Sequence, residues 1–265
     1  MAKGGKVGSG TQGDRLLPIL TYHKIDPRVE RFGFTRLSPY RFKRTLEIVN
    51  KKCPFSVSSV DELVENPFAK GKVALLFDDA YEDFEHYAYP VLDEFGYRAF
   101  LFVITDFIGK ENSWDLPSLR GFPHLGRASI SSLSNSGIVI GSHTRSHRVL
   151  SSLSACEIRN ELSYSKKLLE DITGKPVEAV SYPFGDWDER VIDIAAETGY
   201  KVGFSITREM LPFSALALRS MCVYSFDTDR NIRKKLERDT LELARLRIMN
   251  LGSELTKIYK KRLRY

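Results

Sequence analysis

The alternation of short apolar runs with longer helical patterns constrains the fold of this 265-residue chain more than any other feature. Strands that are apolar along their whole length are typical of sheets covered on both faces, and their alternation with helices predicts βαβ units and a parallel sheet. A barrel ringed by helices is one such α/β arrangement. Seven runs fit this description: 17–22, 73–78, 99–105, 138–143, 178–183, 201–206 and 218–224.

Capping signals mark the helices between these runs. Ser38 followed by Pro39 is typical of a helix start, and Ser154 with Glu157 three residues later forms a capping-box pattern. Glycines follow three of the helical segments, at positions suited to helix ends. The predicted helices cover about 39–51, 84–95, 155–173 and 188–198.

The formal net charge of +6 is concentrated at the C-terminal end. Residues 230–265 hold 12 Lys and Arg against 4 Asp and Glu, which leaves the remainder of the chain near neutral. The charge therefore gives no support to nucleic-acid binding by the main domain. We predict a flexible arm over 1–15, one domain over 16–228 and a basic helical tail over 229–265.

Apolar residues recur among the basic groups of this tail. The pattern predicts a helix that packs on the domain with a solvated basic face, and peripheral contact with an anionic membrane is the alternative. No run reaches the roughly 18 apolar residues of a membrane-spanning helix, and the N-terminus lacks the apolar segment of a signal peptide. We therefore expect a cytoplasmic protein, with the tail as its point of membrane association if it has one.

Two adjacent carboxylates, Asp78 and Asp79, lie at the end of the second run in the segment LLFDDAYED. Neighbouring residues of a strand point to opposite faces, so both can serve one site only where the strand ends. Barrel enzymes build their active sites at that end of the strands. An ordinary turn or helix cap is the alternative interpretation, because Asp is common at both.

His143 and His147 lie at the end of the fourth run, in GSHTRSH. A spacing of four residues would place both imidazoles on one side of a helical turn, which suits binding of one metal ion. Two surface histidines without a partner are the alternative. If the two histidines and an Asp bind one ion, three protein ligands leave coordination positions open for water and substrate, as hydrolysis requires. Zinc is the first choice for this ion, and cobalt, nickel or iron also accept such ligands. The second Asp could then accept a proton from water as general base.

The segments LLFDDAYED, SHTRSH and SYPFGD, in this order and spacing, resemble the polysaccharide deacetylases of the NodB-homology type, carbohydrate esterase family 4, over about 17–224. The resemblance implies a distorted (β/α)7 barrel with a helical extension. It implies that Asp78 is the base and that Asp79, His143 and His147 hold the metal.

In the third segment, the resemblance implies that Tyr182, Pro183 and Phe184 line the substrate groove and that the Phe184 N–H binds the oxyanion. Backbone donors of this kind stabilise developing negative charge. A simple Pro-Gly turn after a strand is the alternative.

The chain departs from the family pattern at three positions. Family members carry a general-acid histidine in an L-x-H motif near the C-terminus, but no histidine follows His147. His23 in LTYHKI is the predicted replacement, as in the circularly permuted poly-N-acetylglucosamine deacetylases, because first and last strands of a barrel are neighbours; an incidental loop histidine is the alternative. Ala80 stands where Gly is usual and would disfavour a left-handed backbone. The arginine that often opens the third segment in the family and orients the base is absent before Tyr182, and Arg219 is the candidate to replace it.

The residues predict a metal-dependent hydrolase, and the resemblance implies that its substrate is an N-acetyl group on an amino sugar of a polysaccharide, oligosaccharide or lipid-linked glycan. Asp78 would activate water and His23 would protonate the leaving amine. The alternatives are an O-deacetylase or other amide hydrolase that uses the same site, and a catalytically inactive carbohydrate-binding homologue, which the changes at Ala80 and in the third segment would favour.

Overall fold

The computed structural model of the protein describes residues 16–28, 34–111, 122–206 and 214–250. The predicted arm over 1–15 and the predicted tail beyond residue 250 lie outside these described residues. Within them, none of the helices combines the length and the apolar character that crossing a lipid bilayer requires.

Strands and helices alternate along most of the described chain, as the sequence predicts. The strands are β1 (Ile19–Tyr22), β2 (Lys24–Ile25), β3 (Arg36–Leu37), β4 (Phe55–Ser56), β5 (Lys72–Phe77), β6 (Phe100–Val103), β7 (Val139–Ser142), β8 (Ala179–Ser181), β9 (Val202–Ser205), β10 (Leu218–Arg219) and β11 (Met221–Cys222). The α-helices are α1 (Pro39–Asn50), α2 (Val60–Glu65), α3 (Tyr89–Glu94), α4 (Arg127–Asn135), α5 (Ala155–Thr173), α6 (Glu189–Thr198), α7 (Asp229–Leu236) and α8 (Thr240–Met249).

The main sheet is parallel throughout and forms a nearly closed barrel. Its strands follow the order β10-β9-β8-β7-β6-β5-β1-β11, and β4 pairs with the first two residues of β5. The last predicted run is divided into β10 and β11 because it changes partner: the Ser220 N–H donates to the Ser205 carbonyl of β9, whereas the Val223 N–H donates to the Thr21 carbonyl of β1. The predicted α/β barrel is confirmed, and its seventh predicted strand is divided into two short strands, β10 and β11.

Alternate residues of each strand fill the barrel interior or face the helices. The interior holds three phenylalanine rings, Phe100, Phe102 and Phe204, whose centroids lie 5.5–6.4 Å apart. A Cβ atom on Gly141 would approach the Phe102 ring to 2.4 Å, so glycine in β7 makes room for this filling. The opposite faces of the same strands pack against the helices, which explains why the runs are apolar without interruption.

The predicted caps are present. The Ser38 hydroxyl accepts the Arg41 N–H at the start of α1, and Ser154 with Glu157 forms the capping box of α5. The helix predicted over 84–95 differs, because it opens as a π-helical turn (Phe84–Ala88) before α3. Pro90 lacks an N–H, which interrupts the normal α-helical hydrogen bonding at this point.

The helical extension, α7 and α8, packs back onto the barrel around a buried ion cluster. Lys235 has no exposed surface, and its ammonium group contacts the Asp227 carboxylate. Arg245 contacts the other Asp227 oxygen and also Glu242 at 2.7 Å. Asp227 in turn accepts the Tyr224 N–H at 2.8 Å, so the cluster ties both helices to the segment after β11. The boundary at residue 229 between domain and tail remains a proposal.

Substituting Asp227 should destabilise the protein strongly. Asp227→Asn should lower the free energy of unfolding by about 3 kcal/mol, because it leaves the buried Lys235 charge poorly compensated. The control is Glu94→Gln, which breaks an exposed pair with Lys43 and should cost less than about 1 kcal/mol. Urea denaturation followed by circular dichroism measures both, and similar small losses would contradict a structural role for the cluster.

Candidate metal centre and catalytic site

The carboxyl ends of neighbouring strands bring the predicted site residues together. β1 and β5 lie in register, so His23 and Asp78, which follow them, meet at the same rim. β7 and β8 bring His143 beside Ser181 in the same way. Because all of these strands are parallel, their carboxyl ends share one end of the barrel, where barrel enzymes carry their active sites.

The chain turns sharply after Asp78 through two left-handed residues, Asp79 with φ 71° and Ala80 with φ 53°. Ala80 therefore adopts the conformation that glycine would favour, at a cost of about 1–2 kcal/mol. Two hydrogen bonds hold the turn: His124 Nδ1 donates to the Asp79 carbonyl at 2.7 Å, and the Leu125 N–H donates to the Ala80 carbonyl at 2.9 Å. The change from glycine to alanine does not prevent the turn.

The segment from His143 to His147 is a loop, and the prediction of a helical turn there is wrong. Thr144 and His147 both have left-handed backbones, with φ values of 66° and 60°. The Thr144 hydroxyl accepts the His147 N–H at 3.1 Å, which stabilises the loop. The two imidazoles still converge, with ring centroids 4.9 Å apart.

Asp79, His143 and His147 could hold a metal ion, since their ligand atoms all lie within 4.8 Å of one another. Asp79 Oδ1 lies 3.6 Å from His143 Nε2 and 3.8 Å from His147 Nε2. Two ligands about 2.1 Å from a tetrahedral zinc ion would be about 3.4 Å apart, close to these separations. His143 Nδ1 donates to the Ser181 carbonyl at 2.7 Å, which leaves a lone pair on Nε2 facing Asp79. The three donor atoms and the tautomer of His143 fit a divalent ion.

The environments of the two adjacent carboxylates push their pKa values apart. Burial raises the pKa of Asp78, although His143 and His23 oppose the shift. Burial also acts to raise the pKa of Asp79, but His147, His143 and His23 outweigh it and lower that pKa to about 2. One carboxylate therefore favours its ionised form and the other accepts protons more readily, which suits a ligand and a base.

His23 is half-buried at the rim, close enough to both aspartates to affect their pKa values. Its Nδ1 lies 3.9 Å from the Cys222 sulfur of β11. Burial raises the pKa of the Cys222 thiol to about 12, so this neighbour is uncharged near neutral pH. Barrel closure thus places His23 at the site, as its predicted role requires, while the role itself remains a prediction.

The third segment forms a tight turn at the same rim. Phe184 has a left-handed backbone with φ 59°, and its ring lies 4.7 Å from that of His147. Pro183 is buried at the start of the turn. The Tyr182 hydroxyl donates to the Leu216 carbonyl at 2.8 Å, so this buried side chain anchors the turn and is not available to substrate.

Arg219 faces the helical extension. Its neighbour Leu218 belongs to the barrel interior, and alternation along β10 therefore directs the Arg219 side chain outward. Arg219 Nη2 donates to the Leu243 carbonyl of α8 at 3.0 Å. Its role in orienting the base remains a prediction that these contacts do not support.

Two residues that sequence analysis did not assign contact the site segments. His124 supports Asp79, but only the return of a distant segment creates that contact, so no local pattern predicts it. Glu161 of α5 contacts the loop between the histidines. Its sequence signal is a charged residue on the buried face of an amphipathic helix, three residues after Ile158.

Asp83, which ends the first motif, is buried. Its Oδ2 accepts the Ile25 N–H at 2.9 Å, whereas Oδ1 has no partner among the described residues. Burial raises the pKa of Asp83 to about 7, with Asp26 adding to the shift and Lys24 opposing it.

Residues 65–203 match the family model described as polysaccharide deacetylase. YxkH of Bacillus subtilis, a protein classed with the polysaccharide deacetylases, is 30% identical over 191 residues, which cover 71% of this chain and 63% of that protein. The poly-beta-1,6-N-acetyl-D-glucosamine N-deacetylase of Staphylococcus aureus is 26% identical over 148 residues, or 52% of this chain and 49% of that enzyme. The chain thus spans less than two thirds of either relative.

Solved structures share the fold. The Streptococcus pyogenes deacetylase PplD superposes with a TM-score of 0.72 at 23% identity, over 84% of this chain and 99% of that one. The likeness supports the predicted barrel of the NodB-homology type.

Asp83 should make stability fall as pH rises. A folded-state pKa of about 7 exceeds the unfolded value of about 3.9, so the protonated form stabilises the fold at low pH and the contribution is lost as pH approaches 7. Between pH 5 and pH 8, the unfolding free energy of the metal-free wild type should therefore fall by about 2–3 kcal/mol more than that of metal-free Asp83→Asn.

Urea denaturation at several pH values measures this difference. The control is Asp93→Asn, because Asp93 is largely exposed. A stability difference between wild type and Asp83→Asn that stays constant with pH would show that Asp83 ionises normally.

Proposed function

Because this chain belongs to the polysaccharide deacetylase family, we propose that it removes acetyl groups from the amino sugars of an N-acetylated glycan. The observation that carries the proposal is the three-ligand group of Asp79, His143 and His147 with Asp78 directly beside it at the rim of the barrel. A ligand set with open positions next to a second carboxylate suits hydrolysis of an acyl bond.

Asp78 is proposed as the general base. A divalent ion in the site, with zinc as the first choice, would polarise the acetyl oxygen and make water a better nucleophile at neutral pH. Asp78 is 4% exposed, and its Oδ1 has no hydrogen-bond partner among the described residues, so none of their donors competes with a water proton for this oxygen. Burial raises its pKa and thereby strengthens it as a proton acceptor.

His23 is proposed to protonate the leaving amine. An amide leaves as an amine only if its nitrogen gains a proton, so a base alone is insufficient. His23 lies at the end of β1, which is bonded to β5, the strand that precedes Asp78. The two groups can therefore act on the same acetyl group from adjacent strands.

The left-handed turn at Phe184 is proposed to present its backbone N–H to the developing oxyanion. The turn is fixed by hydrogen bonds from the Gly185 N–H to the Tyr182 carbonyl and from the Asp186 N–H to the Pro183 carbonyl, at 2.9 and 3.0 Å. A donor held before the reaction needs no reorganisation when charge develops.

The proposed substrate is a polymer or oligomer of N-acetylglucosamine. The Staphylococcus aureus relative, whose name specifies poly-beta-1,6-N-acetyl-D-glucosamine, supports this choice. A lipid-linked glycan is a second form of the same substrate class. Leu241 and Ile248 of α8 are 72% and 67% exposed at helical spacing, which supports peripheral membrane contact through the extension.

Replacing the proposed base should separate catalysis from metal binding. Asp78→Asn should lower kcat for acetate release by about 10²–10⁴-fold, while the variant retains its metal, because only the proton acceptor is lost. Acetate release from N-acetylated and O-acetylated oligosaccharides, with metal content of each sample, measures this. Full activity in the variant would refute the assignment of the base, and release from O-acetylated substrates alone would identify an O-deacetylase.

His23→Gln should also lower acetate release from N-acetylated substrates by about 10²-fold or more. An O-acetyl ester has a leaving alcohol that needs less help from an acid, so its hydrolysis should fall much less. The matched control is His86→Gln, since His86 lies in the π-helical turn and has no proposed role. Equal losses on both substrates would contradict a general-acid role for His23.

A further inference from the structure

Four consecutive backbone N–H groups follow His143 in the loop that carries the two histidines, and side chains accept hydrogen bonds from all four. Glu161 Oε2 accepts the Arg145 N–H at 3.0 Å and the Ser146 N–H at 2.8 Å. Ser142 Oγ accepts the Thr144 N–H at 3.0 Å, and Thr144 Oγ1 accepts the His147 N–H at 3.1 Å. The loop therefore depends on side chains, because it makes no helix or strand of its own.

Helix α5 supplies this support from behind the loop. Glu161 is 5% exposed, and its second oxygen, Oε1, accepts the Ser146 hydroxyl. One turn further along α5, Ser165 Oγ contacts Ser142 Oγ at 2.7 Å. The hydroxyl of Ser165 is itself bonded to the Glu161 carbonyl at 2.8 Å, so the supporting groups form one connected set.

A buried carboxylate at this position is explained by the shape of the loop. Left-handed Thr144 and His147 bend the backbone so that consecutive N–H groups point to one side, a concave arrangement that binds anions. Each left-handed non-glycine residue costs about 1–2 kcal/mol, so the bend persists only where its surroundings compensate. Glu161 provides the anion from within the chain.

We propose that Glu161 is a positioning residue of the metal centre: by binding the Arg145 and Ser146 N–H groups, it fixes the loop so that both imidazoles face Asp79 before metal binds. It touches neither ligand and acts through the backbone between them. This inference rests on the metal site of the proposed function, and it predicts that Glu161 controls metal affinity as well as stability.

The test measures zinc affinity of the metal-free full-length protein by competition with a chromophoric chelator. Glu161→Ala should weaken binding about 10–100-fold, as expected when groups that orient metal ligands are lost. Glu161→Gln should bind within a few-fold of wild type, because the amide oxygen can still accept both N–H groups. Glu161→Asp keeps the charge but shortens the reach, and it should lose affinity as Glu161→Ala does.

Two controls on the same helix separate positioning from stability and charge. Leu162→Ala removes a buried neighbour and should lower the thermal unfolding midpoint while zinc affinity stays unchanged. Asp171→Asn removes an exposed carboxylate of α5 and should change neither quantity. The visible spectrum of the cobalt-loaded proteins gives a second readout, since it should change for Glu161→Ala and Glu161→Asp but not for either control.

The outcomes distinguish this inference from the proposed function. If wild type binds zinc and both Glu161→Ala and Glu161→Asp bind it equally well, the positioning role is overturned while the metal site stands. If wild type binds no divalent ion, both proposals are overturned. Should Glu161→Ala not fold, Glu161→Asp carries the test, and affinity equal to wild type in that variant would overturn the inference.

Discussion

Closure of the barrel by a chain segment that changes partner is the constraint on which the site depends. Ser220 still pairs with β9, and two residues later the chain pairs with β1. This change joins the two ends of the parallel sheet and fixes β1 between β5 and β11. His23 thereby sits between Asp78 on one side and Cys222 on the other, although these residues are far apart in sequence.

Backbone strain is concentrated where the candidate ligands are. Five non-glycine residues with positive φ lie in the segments that directly follow β5, β7 and β8: Asp79, Ala80, Thr144, His147 and Phe184. Strands deliver side chains to the rim in alternating directions, so several groups converge on one point only if the chain turns immediately after each strand. Neighbouring groups stabilise these turns, with His124 at the first and Glu161 at the second. Strain of this kind persists where the surroundings compensate for it.

The helical extension belongs to the same structure as the barrel. Its buried Lys235 and partly buried Arg245 meet at Asp227, which also bonds the backbone just after β11. The basic residues of this region therefore fall into two groups that differ in burial and in their partners. Some cations are internal partners of carboxylates, and others, such as Arg247, lie exposed beside the apolar Ile248. Composition alone does not separate them, because burial is a property of the packed helices.

Local patterns in the sequence predict the barrel strands, the caps of α1 and α5 and the candidate metal ligands, but not the short strands β2, β3 and β4. Apolar runs, Ser154 with Glu157, and the Asp-Asp and His-x-x-x-His patterns are local signals, and local signals follow from backbone geometry and hydrogen bonding within a few residues. Three features depend instead on tertiary contacts: the loop conformation of 143–147, the contact of Arg219 with α8, and the support that His124 and Glu161 give to the site. Those outcomes depend on contacts between segments distant in sequence, and the free energy that selects them arises only when the barrel has closed and its helices have packed.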